Sequence, residues 1–314
     1  METERDLRVG AASPYLPADT VMATQGLVVR ARCVADGVLA GLHRSRRQGE
    51  SAEFAEHKVY APGDEVRRID WKAYGKLDRY YVKRFEEETS IGAFMVVDTS
   101  ASMAYPEKGR YSKHAYAATL AASLSYLLLR QSDSVGLLTF DEEAKLHVPL
   151  GARTRQIDEI ARALERQPAG GGTDPTRAFA ALSERVRRRS LVVVITDLLG
   201  VVERAGGLDP VLAGLAALRA RGADVALLQV LDPDELELPF PGVVRFVDME
   251  EDRDLQIDAP AIRDAYLEEI SRYLEQVARA ARVAGITYQR VRTDEPPAQV
   301  LVRFAAARRG PAWG

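Results

Sequence analysis

Cysteine occurs once in the 314 residues, at Cys33, so the chain builds no internal disulfide and no cysteine-based zinc site. Histidine is also scarce. His43, His57, His114 and His147 are scattered, and no HExxH or CxxC pattern joins them. Neither sign of charge prevails: 43 Lys+Arg against 46 Asp+Glu leave a formal net charge of −3. That excludes a histone-like polybasic protein and an acidic solvating tail. Long hydrophobic runs are missing too. The longest uncharged apolar stretch, Ala115–Leu129, falls short of the roughly 20 residues that a membrane span needs, and Leu27–Leu42 is broken by Arg30, Arg32 and Asp36. The N-terminal METERDLRVG has no apolar signal-peptide core, and no GxxxxGK[ST] phosphate loop occurs. A cytoplasmic protein with no membrane span is expected.

With 46% hydrophobic and 28% charged residues, the composition is that of a soluble globular protein. From Ile91 onward, strand-length apolar runs alternate with helical spacing. IGAFMVVD reads as a strand buried on both faces, ending in an acid. A helix is expected over about Arg110–Arg130, then a buried strand at SVGLLTFD and an edge strand at AKLHVPL. Ile157, Ile160 and Leu164 have helical spacing, and after PAGGGTDP a helix should run through Ala178, Leu182 and Val186. LVVVITD reads as a core strand, VLAGLAALRARG as a helix closing near Gly222, and ADVALLQVLD as a further strand. Paired strands around Val243–Asp248, a long helix over roughly Pro260–Ala284, a last strand ITYQRVRT and a short helix near Ala298–Ala305 complete the order. This alternation predicts an α/β, Rossmann-like fold with a mostly parallel sheet flanked by helices. Ligands in such sheets sit at the carboxyl ends of strands, near a switch in strand order.

The first ninety residues differ in kind. A helix is expected over Leu27–His43, then a polar hinge RSRRQGES, then strands at AEFAEHKVY and RYYVKRFEEETS separated by an APGD turn and a tight IDWKAYG segment. The expected division is a small α+β extension over 1–89, an α/β domain over 90–305 and a frayed tail over 306–314.

Three strand ends or loops present hard oxygen donors. MVVDTSASM places Asp98, Ser100 and Ser102 at alternate positions, where an arching chain can aim them at one point. GGGTD gives Thr173 a loop whose glycines permit unusual backbone conformations, and VVVITD delivers Asp197 at the end of a core strand. Two carboxylates and three hydroxyls suit a hard divalent ion, Mg²⁺ before Mn²⁺ or Ca²⁺. Each piece alone has a plainer reading: a serine capping a helix, a helix start at Asp174-Pro175, an acid ending a strand. Their combination in this order points to a metal site.

Asp98-Thr99-Ser100-Ala101-Ser102-Met103, with GGTD at 171–174 and ITD at 195–197, resembles a von Willebrand factor type A domain with a metal-dependent adhesion site. The resemblance implies Ser100 and Ser102 as direct ligands, Asp98 and Asp197 as mainly water-mediated or switching ligands, and Thr173 as either. Upstream, Tyr60-Ala61-Pro62-Gly63-Asp64, Arg67, Ile69-Asp70-Trp71 and VKRFEEET resemble the bacterial domain of unknown function 58 family, over about 26–304. That resemblance implies a non-enzymatic adaptor that captures a partner's Asp or Glu through the metal, the partner being a MoxR-type AAA+ ATPase or its client. Asp64, Arg67, Asp70 and Trp71 are the candidate docking residues.

Other readings are weaker. A metal-dependent hydrolase could use the same site, but no GxSxG elbow surrounds Ser100 or Ser102, and a haloacid dehalogenase-type phosphatase would need an acid where Ser100 stands. Val66–Phe85 interleaves Arg67, Arg68, Lys72 and Lys76 with Trp71, Tyr74 and Tyr80, as a single-strand nucleic-acid platform would, yet Glu86–Glu88 follow at once. The acidic stretch Asp248–Asp258 lacks the glycine of a calcium loop. Cys33 reads as a core residue, His57 and His147 as bland strand positions, and Glu142 as one acid that a resting metal site could recruit.

Overall fold

A computed structural model describes residues 15–48, 58–59, 81–82, 90–106, 111–201, 207–247, 249 and 254–308. The chain forms two compact units, one of residues 43–90 and one of residues 1–42 and 91–314. In the smaller, strands β1 (Lys58–Val59) and β2 (Tyr81–Val82) pair antiparallel.

The larger unit is built on a six-stranded sheet. Its strands in chain order are β3 (Gly92–Asp98), β4 (Ser134–Phe140), β5 (Ala144–Gly151), β6 (Leu191–Thr196), β7 (Asp224–Leu231) and β10 (Thr287–Arg292). Their spatial order is β10-β7-β6-β3-β4-β5, with every pairing parallel except β4 with β5. The chain therefore starts in the middle, winds outward through β4 and β5, and returns to the other side of β3 with β6. That reversal is the switch point of a doubly wound sheet, and it lies between β3 and β6.

The central strands read as unbroken apolar runs because both faces are covered. On β3, Ala93, Met95 and Val97 enter one core while Phe94 and Val96 enter the other; on β6, Leu191, Val193 and Ile195 alternate with Val192 and Val194 in the same way. The first core is closed by helices α2 (Leu27–Gln48), α3 (Lys113–Arg130), α4 (Gln156–Arg166) and α9 (Pro297–Ala307). The second is closed by α5 (Pro175–Ser183), α6 (Asp209–Ala220) and α8 (Ala259–Val283). Each buried valine or leucine contributes roughly 1.5–3 kcal/mol over exposure. Strands β8 (Val243–Val247) and β9 (Asp254–Asp258) pair as the expected hairpin, outside the main sheet.

The predicted α/β order holds, with corrections at the boundaries. The extension does not begin at residue 1: Leu27, Ala31, Val34, Ala35 and Val38, at helical spacing along α2, lie in the first core. Glu165 Oε1 accepts from the Leu27 backbone N–H at 2.8 Å, tying the start of α2 to α4. Helix α2 also runs past His43 to Gln48, because Arg44, Arg46, Arg47 and Gln48 are good helix formers and no glycine or proline stands between His43 and Gly49. The tail begins later than 306: α9 extends through Ala307, and Arg308 is buried, its guanidinium paired with Asp224 and lying over the Phe304 ring. Two short helices were not anticipated, α1 (Ala18–Met22) and α7 (Pro233–Glu237).

Candidate functional site

Strand β3 ends on Asp98 beside the end of β6, at the switch point. Thr196 Oγ1 donates to Asp98 Oδ2 at 2.5 Å, and the Ser100 backbone N–H donates to Asp98 Oδ1 at 2.8 Å. The second bond bends the chain within two residues of the strand end. Thr99 anchors the bend on the neighbouring strand, giving its N–H (2.7 Å) and its hydroxyl (3.0 Å) to the Phe140 carbonyl. A single 3₁₀ turn, Ala101–Ala104, follows. Ser100 is its N-cap, yet its hydroxyl makes no capping bond; it shares a hydrogen bond with the Ser102 hydroxyl at 3.1 Å. The plain capping role for Ser100 is thus not the one it plays.

The glycine loop is stitched to this bend by backbone. Gly170 N–H donates to the Thr99 carbonyl at 2.8 Å, and Ala101 N–H donates to the Gly171 carbonyl at 2.9 Å. Gly171 has a φ of +77°, which a side chain would strain, and a Cβ on Gly172 would stand 2.8 Å from Glu142 Oε1. The loop therefore passes close under the β4–β5 turn, to which Asp174 N–H is bonded through the Asp141 carbonyl at 2.7 Å. Asp174 caps α5, its Oδ1 accepting from Thr176 N–H at 3.2 Å with Pro175 in the first turn, as its plain reading required. Thr173 is wholly buried in this loop.

Asp197 leaves β6 and is likewise wholly buried. Its Oδ1 accepts from Leu199 N–H at 3.0 Å, and its backbone carbonyl accepts from Gln229 Nε2 at 2.8 Å. Its Oδ2 accepts from Lys113 Nζ at 2.6 Å. Lys113, the first residue of α3, is also wholly buried, and its Nζ donates to Glu235 Oε1 at 2.5 Å as well. Glu235 is held in α7 by a reciprocal cap, Oε2 accepting from Asp232 N–H at 2.8 Å. Tyr105 donates to Asp234 Oδ2 at 2.9 Å and Tyr266 to the Glu235 carbonyl at 2.6 Å, fixing α7 against its surroundings.

Of the five expected ligands, the structure joins Asp98, Ser100 and Ser102 by hydrogen bonds, sets Asp197 near Asp98, and stitches the Thr173 loop to the same bend. Lys113 and Glu235 were missed. A lysine at the N-terminal end of a helix opposes the helix dipole, and that misplacement was the available signal. Asp64, Arg67, Asp70 and Trp71 lie outside the described residues, as does most of the basic-aromatic stretch 66–85. His147 is exposed and bonded to Thr139 Oγ1 at 2.7 Å, Cys33 is half-buried, and the acidic stretch ends in strand β9.

The electrostatics favour a cation. Burial, with the charge of Asp197 adding, pushes the Asp98 carboxyl up to about 7. Burial also raises Glu235, although Lys113 opposes the shift. Burial works against the Lys113 ammonium, but Asp197 and then Glu235 outweigh it and hold its pKa above the ordinary lysine value. Two carboxylates, Asp197 and Glu235, pair with the Lys113 ammonium, while Asp98 lies close enough to Asp197 for the two carboxylates to repel. Among the described residues, no group of three or more His, Cys, Asp or Glu side chains could hold a metal by itself. A metal here would therefore lean on the hydroxyls, and two carboxylates with serine and threonine oxygens suit a hard divalent ion.

A family model described as "Protein of unknown function DUF58" matches residues 56–276. The chain belongs to that family. An uncharacterised protein of Mycobacterium tuberculosis (strain ATCC 25618 / H37Rv) is 32% identical over 279 residues, covering 87% of this chain and 85% of the relative. The uncharacterised protein YeaD of Bacillus subtilis (strain 168) is 25% identical over 167 residues, 51% of this chain and 39% of its own. Among solved structures, the conserved hypothetical protein BatB from Bacteroides thetaiotaomicron aligns with a TM-score of 0.46 at 15% identity, over 70% of this chain and all of that one. A von Willebrand factor type A protein from Catenulispora acidiphila aligns with a TM-score of 0.35 at 16% identity, over 45% of this chain and 33% of its own. The doubly wound fold itself is given by the strand order β10-β7-β6-β3-β4-β5. None of the described helices is long and apolar enough to cross a membrane.

Proposed function

We propose that this DUF58 protein is a non-enzymatic binding module that captures an Asp or Glu side chain of a partner protein through a divalent ion, Mg²⁺ first among candidates. Asp98, Ser100, Ser102, Thr173 and Asp197 would hold the ion. The observation that carries the reading is the hydroxyl pair Ser100–Ser102, turned away from capping and placed beside two buried carboxylates at the switch point. When bound, the ion supplies an open coordination position for an anionic oxygen. The chain's own residues do the rest: Thr196 and Ser100 N–H orient Asp98, Leu199 N–H and Lys113 orient Asp197, and the two backbone bonds set the height of the glycine loop.

The partner we propose is a MoxR-type AAA+ ATPase, or a client it remodels, as the resemblance of the upstream YAPGD and RRIDW block to the domain of unknown function 58 family implies. A pull-down from native lysate tests both parts, comparing Mg²⁺ with EDTA and wild type with Asp98→Ala. A partner lost on chelation and on substitution, and identified as such an ATPase or its client, is the expected result. A partner retained in both would move docking to another surface and overturn the metal-bridged reading. Turnover of a phosphoester or peptide by the purified protein with Mg²⁺ would replace the binding module by a metal-dependent hydrolase.

A further inference from the structure

Lys113 is a wholly buried cation with two carboxylate partners, and the two belong to different parts of the molecule: Asp197 to the ligand set and Glu235 to the cap of α7. We infer that Lys113 sets the charge of the crevice, so that the site holds its divalent ion less tightly but accepts an incoming carboxylate. This inference rests on the metal reading above.

The reasoning is electrostatic. Asp98, Asp197 and Glu235 alone would leave a divalent ion with net negative surroundings, and an approaching carboxylate would meet repulsion. Opposite and like charges buried together interact far more strongly than in water. With Lys113 in place, the charges of Asp98, Asp197 and Glu235 are balanced by the ion and the ammonium, and the repulsion met by the anion falls. The same ammonium shares Asp197 with the ion, and so it weakens the grip of that carboxylate. Metal retention and anion capture are thereby set against each other by one residue.

Glu235 trims the effect. Its Oε1 takes part of the Lys113 charge, and its Oε2 is pinned by Asp232 N–H, so it cannot swing away to a second role. Removing the Glu235 charge should turn the full ammonium onto Asp197. A lysine present only to fill and hold the core predicts nothing of the kind: its loss would weaken everything alike.

The test uses the full chain with Mn²⁺ alone as the probe, its affinity read by isothermal titration or by the electron paramagnetic resonance of free Mn²⁺, without and with saturating acetate. Coupling between ion and acetate is reciprocal, so acetate should raise the Mn²⁺ affinity of the wild type. Lys113→Met is expected to bind Mn²⁺ about tenfold more tightly and to lose the acetate enhancement. Glu235→Gln is expected to bind Mn²⁺ about tenfold more weakly and to keep it. Should Lys113→Met fail to fold, Glu235→Gln decides alone, because it retains the ammonium. Wild type that binds Mn²⁺ while Glu235→Gln leaves the affinity unchanged or raises it overturns this inference and spares the metal reading. Wild type that binds no Mn²⁺ overturns both.

Discussion

Replacing Asp98 by asparagine should stabilise the metal-free protein above neutrality, and the size of the gain follows from the surroundings of the carboxylate. Asp98 is wholly buried, and its folded-state pKa stands at about 7 against an ordinary value of 3.8. The folded chain therefore holds a proton there more firmly than the unfolded chain does. For such a raised group, the stability is complete below about pH 4 and is lost as pH rises through 7. A shift of roughly three units corresponds to about 4 kcal/mol at most. Asparagine keeps an acceptor for Ser100 N–H, but its amide nitrogen must face Thr196 Oγ1, which has to accept where it now donates. Allowing about 1–2 kcal/mol for that rearrangement leaves a gain of about 2 kcal/mol at pH 8. Urea unfolding in EDTA at pH 5 and pH 8 measures it: the variant should be the more stable at pH 8, with the difference near zero at pH 5. With Mg²⁺ added at pH 8, the order should narrow or reverse, since only wild type gains ligand stabilisation. A variant less stable than wild type at pH 8 in chelator, or a difference independent of pH, would refute the picture of a buried charge awaiting a cation.

The other expectations can be checked with the same two measurements, urea unfolding and Mn²⁺ titration. Ser100→Ala with Ser102→Ala should abolish Mn²⁺ binding while changing stability in chelator by less than about 1 kcal/mol, because the Ser100 hydroxyl caps nothing; a large loss of stability with binding intact would make the pair structural. Lys113→Met should cost about 3–5 kcal/mol, since it strands Asp197 and Glu235 without their cation. Gly136→Ala should cost about 1–3 kcal/mol without touching Mn²⁺ affinity, as its Cβ would stand 3.0 Å from the Val148 carbonyl oxygen, which is backbone and cannot turn aside. Gly214→Ala gains about 1 kcal/mol of helix propensity, yet its Cβ would meet Phe179 Cδ2 at 2.6 Å, so overpacking should win and the urea midpoint should fall.

The strands and the place of the candidate site residues were legible because their signals are local. A strand covered on both faces is an apolar run, and Asp98, Ser100 and Ser102 follow one such run directly. What escaped was written across distance. The contacts of Lys113 reach 84 residues along the chain to Asp197 and 122 to Glu235, which no window of helical or strand period can sense. Helix α7 was hidden for a different reason: its text is acidic and proline-bearing, and reads as a turn. Asp232 and Glu235 nevertheless stand at the spacing of a capping box, and that pairing, read as such, would have found the helix. The end of α2 and the start of the tail went astray because charged and small residues that favour helix were read as hinge and fray.

The misreadings at the crevice share a physical origin with the site. Along β3 and β6 the apolar residues alternate cleanly between the two cores. At the switch point the chain instead buries Asp98, Lys113, Thr173 and Asp197 completely, among side chains that by composition belong in water. Pairing does not make such an arrangement favourable in itself, since apolar residues of the same volume would often serve stability as well or better. The cost is tolerable because the flanking cores are extensive. Four segments contribute to that cluster at once, and a concentration of buried polar groups at a switch point is what the proposed site for a cation and its anionic partner builds on.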